Sequence, residues 1–443
     1  MSRIGRRGAL LTGAAFLAGC GEGTWLGENA APPLPGERKA VLLIEDQVSA
    51  DPRLAQLNVT LPSAQTNAAW PQAGGDASHA MEHLAAAPTL EVAWSTDIGA
   101  GAGGRTRLLA GPVVAGGRVF AVDTDGVVTA VDAAGGDRAW QFYAEDVEEV
   151  DRLAGGAVAY DDGRLYVVTG NGMVYGLDAA SGSELWRRQI LAPIRSAPTV
   201  AAGRVLVPTA DGQLFAIDDT TGELIWQHAG LFEQTGLLGG ASPAVADGIV
   251  VAAYASGEVV ALSLANGQQL WNDSVLRPRR TLAIGTIADI VSDPVIAGPR
   301  VFVAGMSGEM AAFDLQRGVR DWTAEVTSIQ TPWVAGNFIF LLTERNELLC
   351  MVDQGGYIRW VTTLPTLVDP ADPESRQIRW VGPVLVSDRL LLASSEGELR
   401  TISPFTGEVL GTVDLGDPVS VPPAVAGGTV FFLTDEARLV ALR

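Results

Sequence analysis

The sequence contains few of the side chains on which protein chemistry most often depends. Among its 443 residues there are only two cysteines, Cys20 and Cys350, three histidines and a single lysine, Lys39. Two thiols exclude a disulfide framework and a zinc site with three or four thiolates. Three histidines leave few candidates for general acid–base catalysis. The net charge of −21 argues against a nucleic-acid partner, because phosphate binding requires clustered positive charge.

Glycine and proline, by contrast, are abundant, with 52 and 24 residues. Together with 47% hydrophobic residues, this composition is typical of an ordered protein with many turns rather than of a disordered chain.

The N-terminus has the features of an export signal. Arginines near the start of the chain precede an apolar run from Gly8 to Gly19, which is too short to span a bilayer. LAGC at 17–20 resembles the lipobox of bacterial lipoproteins, which implies cleavage before Cys20 and a lipid such as palmitate on its thiol. We therefore assign residues 1–19 to a signal peptide. The alternative is an ordinary signal peptide with an incidental cysteine.

Two neighbouring features concern the route and the destination. In lipoproteins, a residue other than aspartate after the lipidated cysteine implies sorting to the outer membrane, and here that residue is Gly21. The pair Arg6 and Arg7 leaves both the general and the twin-arginine export routes open. The Gly- and Pro-rich stretch that follows favours a flexible tether over residues 20–65.

The rest of the chain, residues 66–443, is built on a repeat that ends in tryptophan. Its copies are AVDAAGGDRAW at 130–140, GLDAASGSELW at 176–186, AIDDTTGELIW at 216–226, ALSLANGQQLW at 261–271 and AFDLQRGVRDW at 312–322. A proline stands 28 residues before the tryptophan in five units, at 112, 198, 243, 294 and 332. A repeat of about 40–50 residues with strand-like content is typical of β-propeller blades.

Within one unit, residues 198–226, four short apolar runs are separated by turns that contain Gly or Asp. Each unit is therefore predicted to be a four-stranded antiparallel meander. Equivalent landmarks at 112, 157, 198, 243, 294, 332, 383 and 423 predict eight blades. The last unit ends at Arg443 after three strands, so we expect the strand in LEVAWSTDI at 90–98 to complete it and to close an all-β, eight-bladed propeller.

The repeated tryptophans are predicted to dock neighbouring blades. Burying an indole contributes roughly 4–6 kcal/mol gross, at about 25 cal/mol per Å² over about 150–250 Å². The alternative is that they stack a ligand, which would require them to lie near the axis. The residues assigned to docking are Trp94, Trp140, Trp186, Trp226, Trp271, Trp322 and Trp360.

Two short motifs resemble metal sites. HAMEH at 79–83 matches the H-x-x-E-H pattern of some metalloproteases, but Gly74, Gly75 and Pro88 limit any helix to roughly three turns. We interpret it as a short helix packed on the ring. DTDG at 123–126 lacks the acidic residue that a calcium loop has at its twelfth position, and it is interpreted as a hairpin turn. The sequence therefore predicts no catalytic residues, no metal and no cofactor.

The AxDxxxGxxxW repeat resembles that of quinoprotein dehydrogenases, propellers that hold pyrroloquinoline quinone and calcium. The resemblance covers residues 90–443 and implies the fold. The adjacent cysteines and the ligand-bearing inserts typical of those enzymes are missing, so a quinone- and calcium-dependent periplasmic dehydrogenase is the alternative function.

A closer resemblance is to the BamB family of outer-membrane assembly lipoproteins. It is carried by the order of four features: LAGC, WPQAGGD at 70–76, the strand with Trp94 and eight compact blades. This resemblance implies a non-enzymatic scaffold anchored to the periplasmic face of the outer membrane. Its implied partners are the periplasmic POTRA repeats of BamA and other subunits of the assembly complex, with unfolded outer-membrane proteins as a further candidate.

In that family, two loops that precede first-strand prolines contact the partner. The resemblance assigns Leu237 and Leu238 in LLGGASP to one loop and Asp289 in ADIVSDP to the other. The family's arginine is replaced by Leu238, and its second aspartate by Val291. Arg279 in RPRR at 277–280 is a candidate for the missing positive charge. The alternatives are a solvated loop at RPRR and leucines packed beneath their own loop.

Overall fold

Each repeat folds as a four-stranded antiparallel sheet, and eight such sheets form a β-propeller, as predicted. The computed structural model describes residues 48–103, 106–144, 155–231, 239–276 and 289–443. Within these ranges, no helix is both long and apolar enough to cross a bilayer.

The described elements are one 3₁₀ helix and 32 strands. The 3₁₀ helix is Pro52–Leu54 and the first strand is β1 (Val92–Asp97). Blades one to four comprise β2 (Val113–Ala115), β3 (Arg118–Val122), β4 (Val127–Asp132), β5 (Arg138–Tyr143); β6 (Gly156–Asp161), β7 (Arg164–Thr169), β8 (Met173–Asp178), β9 (Glu184–Gln189); β10 (Thr199–Ala201), β11 (Arg204–Pro208), β12 (Gln213–Asp218), β13 (Leu224–Ala229); β14 (Ala244–Ala246), β15 (Ile249–Ala253), β16 (Glu258–Ser263) and β17 (Gln269–Ser274).

Blades five to eight follow the same order, except that the last takes its fourth strand from β1. They comprise β18 (Val295–Ala297), β19 (Arg300–Ala304), β20 (Met310–Asp314), β21 (Arg320–Ala324); β22 (Trp333–Ala335), β23 (Phe338–Leu342), β24 (Glu347–Val352), β25 (Ile358–Thr363); β26 (Trp380–Val386), β27 (Arg389–Ser394), β28 (Glu398–Ile402), β29 (Val409–Asp414); β30 (Ala424–Ala426), β31 (Thr429–Leu433) and β32 (Arg438–Leu442).

The ring closes as predicted, because β1 pairs antiparallel with β32 and completes the eighth sheet. This pairing brings the first strand against the last and covers a strand edge that would otherwise be open to aggregation. The first strands of neighbouring blades contact one another and are therefore innermost, while the fourth strands lie outermost.

The third blade shows why the repeat has its sequence. Ala216 on β12 lies opposite Trp226 on β13, so a small side chain leaves room for the indole. The carboxylate of Asp218 accepts a hydrogen bond from the backbone N–H of Thr220 at 3.0 Å, which begins the turn. Gly222 completes the turn with a φ of 72°, which glycine adopts at little cost.

Residues 48–65 lie against the ring, which differs from the prediction of a flexible tether over residues 20–65. Val59 is only 7% exposed, and the backbone N–H of Asp51 donates to the carbonyl of Ile358 at 2.8 Å. The physical reason is that apolar residues within this stretch, among them Val48 and Val59, pack against buried clusters that include the sixth blade.

Candidate partner-binding rim

The connections between successive blades lie at one end of the ring, because every fourth strand ends where the next first strand begins. We call this end the connection rim. Of the predicted partner contacts, Leu237, Leu238 and Arg279 lie outside the described residues, so their placement stays a prediction. Asp289 is described and lies in the connection that enters blade five.

Asp289 is only 2% exposed, although the prediction placed it in contact with a partner. Its backbone carbonyl accepts a hydrogen bond from the N–H of Met306 at 3.1 Å. The backbone of Asp289 therefore stabilises the connection, and in this conformation its side chain is buried rather than part of the outer surface.

Three leucines on the connection rim were missed by the sequence analysis. They are exposed by 95% at Leu191, 65% at Leu231 and 42% at Leu276. Each follows the tryptophan of its own repeat by five residues, in blades two, three and four. The repeat thus places one exposed leucine at the same position of three adjacent blades.

The same position has no large apolar residue in the other described blades. Five residues after the tryptophan, or after the glycine that replaces it in blade seven, stand Gly99, Thr327, Pro365 and Gly416. The leucines are therefore specific to one sector of the ring and are not a requirement of the fold. This difference within the repeat is the signal that could have identified them from the sequence.

The backbone that presents Leu231 is held firmly. Its N–H donates to a carboxylate oxygen of Glu258 at 2.6 Å. The preceding residue, Gly230, lies so close to the Tyr254 ring that a Cβ would stand 2.8 Å from it. Nδ1 of His228 lies 2.8 Å from the Tyr254 hydroxyl, and burial lowers the pKa of this histidine. Leu231 is thus an exposed apolar residue on a well-supported backbone.

The seven predicted docking tryptophans all bridge to the following blade in the same way. Their indole N–H groups donate to backbone carbonyls, in the pairs Trp94 to Ala133, Trp140 to Ala179, Trp186 to Asp219, Trp226 to Leu264, Trp271 to Leu315, Trp322 to Asp353 and Trp360 to Pro404, over 2.7–3.2 Å. All seven lie on outermost strands, far from the axial position that a ligand-stacking role requires. Their contribution to stability stays a prediction.

The HAMEH segment forms no helix, and this interpretation was wrong. His79 and Glu82 have positive φ angles of 62° and 51°, which a right-handed helix does not allow. The Nδ1 atoms of both imidazoles lie against backbone carbonyls, at 2.8 Å from Pro294 for His79 and 2.7 Å from Pro62 for His83. No group of three or more potential metal-ligating side chains occurs within the described residues.

The DTDG segment forms the predicted hairpin turn between β3 and β4. One carboxylate oxygen of Asp123 accepts hydrogen bonds from the N–H groups of Asp125 at 2.9 Å and Val127 at 2.8 Å. The Asp123 carboxylate therefore stabilises the hairpin turn.

The geometry defines a class of protein: an eight-bladed propeller whose blades dock through tryptophan and whose connection rim carries exposed leucines. The family model described as "Outer membrane protein assembly factor BamB" matches residues 83–153 and 145–362. The chain belongs to this family.

Individual relatives match a smaller part of the chain. The protein named outer membrane protein assembly factor BamB from Legionella pneumophila (strain Paris) is 26% identical over 169 residues, which are 36% of this chain and 41% of the relative. Its counterpart from Alkalilimnicola ehrlichii is 28% identical over 167 residues, 38% of this chain and 41% of the relative. The matches thus span about two fifths of the length of these relatives.

Two solved structures share the fold. BamB from Moraxella catarrhalis superposes with a TM-score of 0.67 at 18% identity, covering 80% of this chain and 100% of that chain. Quinohemoprotein alcohol dehydrogenase from Comamonas testosteroni superposes with a TM-score of 0.63 at 16% identity, covering 86% and 81%. At these identities the likeness concerns the fold alone.

Proposed function

We propose that the protein is a non-enzymatic scaffold of outer-membrane β-barrel assembly, which binds the periplasmic POTRA repeats of BamA through its connection rim. Membership of the BamB family supports the assembly role. The observation that carries the choice of surface is the set of three exposed leucines, Leu191, Leu231 and Leu276, in adjacent blades.

Exposed apolar side chains reduce solubility unless a partner covers them, and few such residues usually dominate the affinity of an interface. In the sequence, Leu237 and Leu238 fall between β13 and β14, and Arg279 falls between β17 and β18, in the segments that enter blades four and five. We therefore place the partner on blades two to five. An extended edge strand of a POTRA repeat would bring backbone hydrogen bonds in addition to apolar burial.

The test is the double change Leu191→Glu and Leu231→Glu, with binding to isolated POTRA repeats measured by calorimetry. We expect affinity to fall at least tenfold, or about 1.4 kcal/mol, while the melting temperature is unchanged. The matched control is Leu185→Glu with Leu410→Glu, two leucines exposed by 52% and 54% on outermost strands away from the rim. Equal loss in both pairs, or no loss in the rim pair, would move the interface elsewhere.

The predicted loop residues have a separate test. Leu237→Glu with Leu238→Glu should weaken POTRA binding to a similar extent, again without a change in melting temperature. A folded double variant that binds normally would restrict the interface to the described leucines.

We further propose that Cys20 carries the lipid that anchors the protein to the periplasmic face of the outer membrane. Acyl chains supply about 0.8 kcal/mol of anchoring free energy per buried CH₂. Cys20→Ser should therefore leave the protein uncleaved or free in the periplasm, and only the wild type should incorporate labelled palmitate. A wild type that takes up no palmitate would contradict lipidation.

The likeness to quinohemoprotein alcohol dehydrogenase keeps one other function open to test. Purified protein supplied with pyrroloquinoline quinone, calcium and alcohols should reduce no dye if the scaffold proposal is right. Dye reduction that depends on the quinone would instead establish the dehydrogenase.

A further inference from the structure

Residues 67–86, which we call the axial segment, follow the axis side of the ring and touch all eight blades. The contacts, in blade order, are Trp70 with Val114, Pro71 with Tyr160, Gln72 with Val200, Ala77 with Val245, Ser78 with Ile296, Glu82 with Trp333, Leu84 with Leu385, and Asn67 with Gly427. Each partner belongs to a first strand or to the turn that follows it. The segment therefore runs once around the axis.

Several of these contacts imitate strand pairing. The N–H of Trp70 donates to the carbonyl of Val114 at 2.7 Å, and the N–H of Val114 donates back at 2.8 Å. Gln72 does the same with its side chain, since Oε1 accepts from the N–H of Val200 at 2.7 Å and Nε2 donates to its carbonyl at 3.2 Å. First strands have a free edge towards the axis, and the axial segment supplies partners for it.

Apolar contacts accompany the hydrogen bonds. Ala69, Ala73, Ala77 and Ala80 pack against four different buried clusters, each lying between neighbouring blades. The Trp70 ring, 4% exposed, stacks on that of Trp333 from the sixth blade at a centroid distance of 6.3 Å. One tryptophan of the axial segment thus links blade one to blade six.

The course of the axial segment depends on a tight turn between residues 72 and 75. Gly74 and Gly75 have positive φ angles of 69° and 97°. A Cβ on Gly74 would stand 2.7 Å from the His79 ring, and one on Gly75 would stand 2.4 Å from the Met81 side chain. Both glycines are therefore required by conformation and by the close return of the chain.

The link between the axial segment and β1 is exposed, and its described side-chain contacts include the hydrogen bond that the Arg389 guanidinium donates to the Pro88 carbonyl at 2.7 Å. Pro88 and Thr89 are exposed, whereas Leu84 before them is 3% exposed and packed in the core. The N–H of Glu91 then donates to the carbonyl of Arg443 at 2.9 Å, where the pairing of β1 begins. Two separately bound segments are thus joined by a short exposed stretch.

We propose that the inner edges of the eight first strands form a peptide-binding site and that residues 67–86 are its ligand. This site holds the N-terminal part of the chain on the ring independently of the covalent link through Pro88. Anything attached to the N-terminus is then secured to the propeller by contacts distributed over every blade.

The test is to cut the link in the folded, full-length protein. A site-specific protease sequence is inserted between Pro88 and Thr89, and an epitope tag is inserted between Lys39 and Ala40. After cleavage, we expect the tagged fragment and the ring to elute together in gel filtration, with the melting transition retained. The control carries the protease sequence between the tag and Ala40, so cleavage should release the tag.

Separation of the tagged fragment from the ring after cleavage at 88/89 would overturn the proposal, as would loss of the cooperative melting transition. A second measurement uses variants whose axial segment makes fewer contacts with the ring. In the cleavable protein, Trp70→Ala and Gln72→Leu should each speed dissociation of the fragment at least tenfold. Ser63→Ala, at an exposed position of the same fragment, should not change it. Equal dissociation rates in all three variants would contradict a site built on these contacts.

Discussion

The indole Nε1 of Trp226 donates to the backbone carbonyl of Leu264 at 3.0 Å, across the boundary between the third and fourth blades. The same ring lies on Gly267, so closely that a Cβ there would stand 2.7 Å from it. Equivalent pairs of tryptophan and glycine occur at seven boundaries, which makes this contact the common unit of blade docking.

Trp226→Ala should lower the free energy of unfolding by roughly 3–5 kcal/mol, because the change leaves a cavity between blades and an unpaired carbonyl. Urea unfolding followed by circular dichroism measures the effect. Trp226→Phe loses the donor but keeps part of the volume, so it should cost less. Trp25→Ala, in the predicted tether, should cost almost nothing, and a loss equal to that of Trp226→Ala would contradict the docking assignment.

Alanine substitutions at two glycines distinguish the free-energy cost of displacing the tryptophan from the cost of backbone strain. Gly267 and Gly248 have similar φ angles of 71° and 75°, but a Cβ on Gly248 would meet nothing within 4 Å. Both changes to alanine incur a strain of about 1 kcal/mol for the left-handed conformation. Gly267→Ala should cost at least about 1 kcal/mol more, because the new methyl group displaces Trp226. Equal melting temperatures for the two variants would show that the indole moves aside freely.

The blade count and the closure were predictable from the sequence because the repeat has a fixed spacing and ends one strand short. The reason why one blade lacks the tryptophan was not predictable from the sequence. Gly411 stands where blade seven should have one. The following blade takes its third and fourth strands, β32 and β1, from distant parts of the chain. It therefore lacks the turn that supplies the glycine and the carbonyl elsewhere, and a tryptophan at 411 would have no equivalent partner.

The axial segment shows where sequence patterns fail. Its hydrogen bonds are mostly to backbone atoms, which leave no pattern of side chains to find. The spacing of Ala69, Ala73, Ala77 and Ala80 is that of one face of a helix, which the segment does not form. His79 and His83 matched a metal motif by spacing alone, while positive φ angles at His79 and Glu82 rule out the helix that such a motif needs. The exposed leucines of the connection rim could have been predicted from the sequence. Comparison of equivalent repeat positions shows that Leu191, Leu231 and Leu276 are large and apolar, whereas their counterparts are not.

Truncations distinguish the contributions of the N-terminal segments. Removing residues 1–98 deletes both the axial segment and β1, so it should reduce the melting temperature far more than removing residues 1–60. Removing residues 1–87 keeps β1 and should give an intermediate value. Differential scanning calorimetry measures all three. If the 1–87 and 1–60 truncations melt together, the axial segment contributes no stability, and if all three melt with the full chain, β1 does not close the ring.

His228 gives the protein a predicted loss of stability in mild acid. Burial lowers its pKa in the folded state below the ordinary value of 6.5, while nearby Gln269 and Glu258 oppose the shift. Well above pH 6.5 the ring is neutral in both states, so the full stability is present. As the pH falls through that value, the unfolded chain binds a proton first, and stability decreases until the folded pKa is passed.

Replacing the imidazole by an amide removes this dependence. The difference in unfolding free energy between wild type and His228→Gln should therefore shift in favour of the variant between pH 7.5 and 5.5, as measured by urea titration at each pH. Tyr254→Phe serves as the control, because it removes the hydroxyl 2.8 Å from Nδ1 and keeps the titrating ring. A difference between wild type and His228→Gln that stays constant over this range would show that the pKa of His228 is the same in the folded and unfolded states.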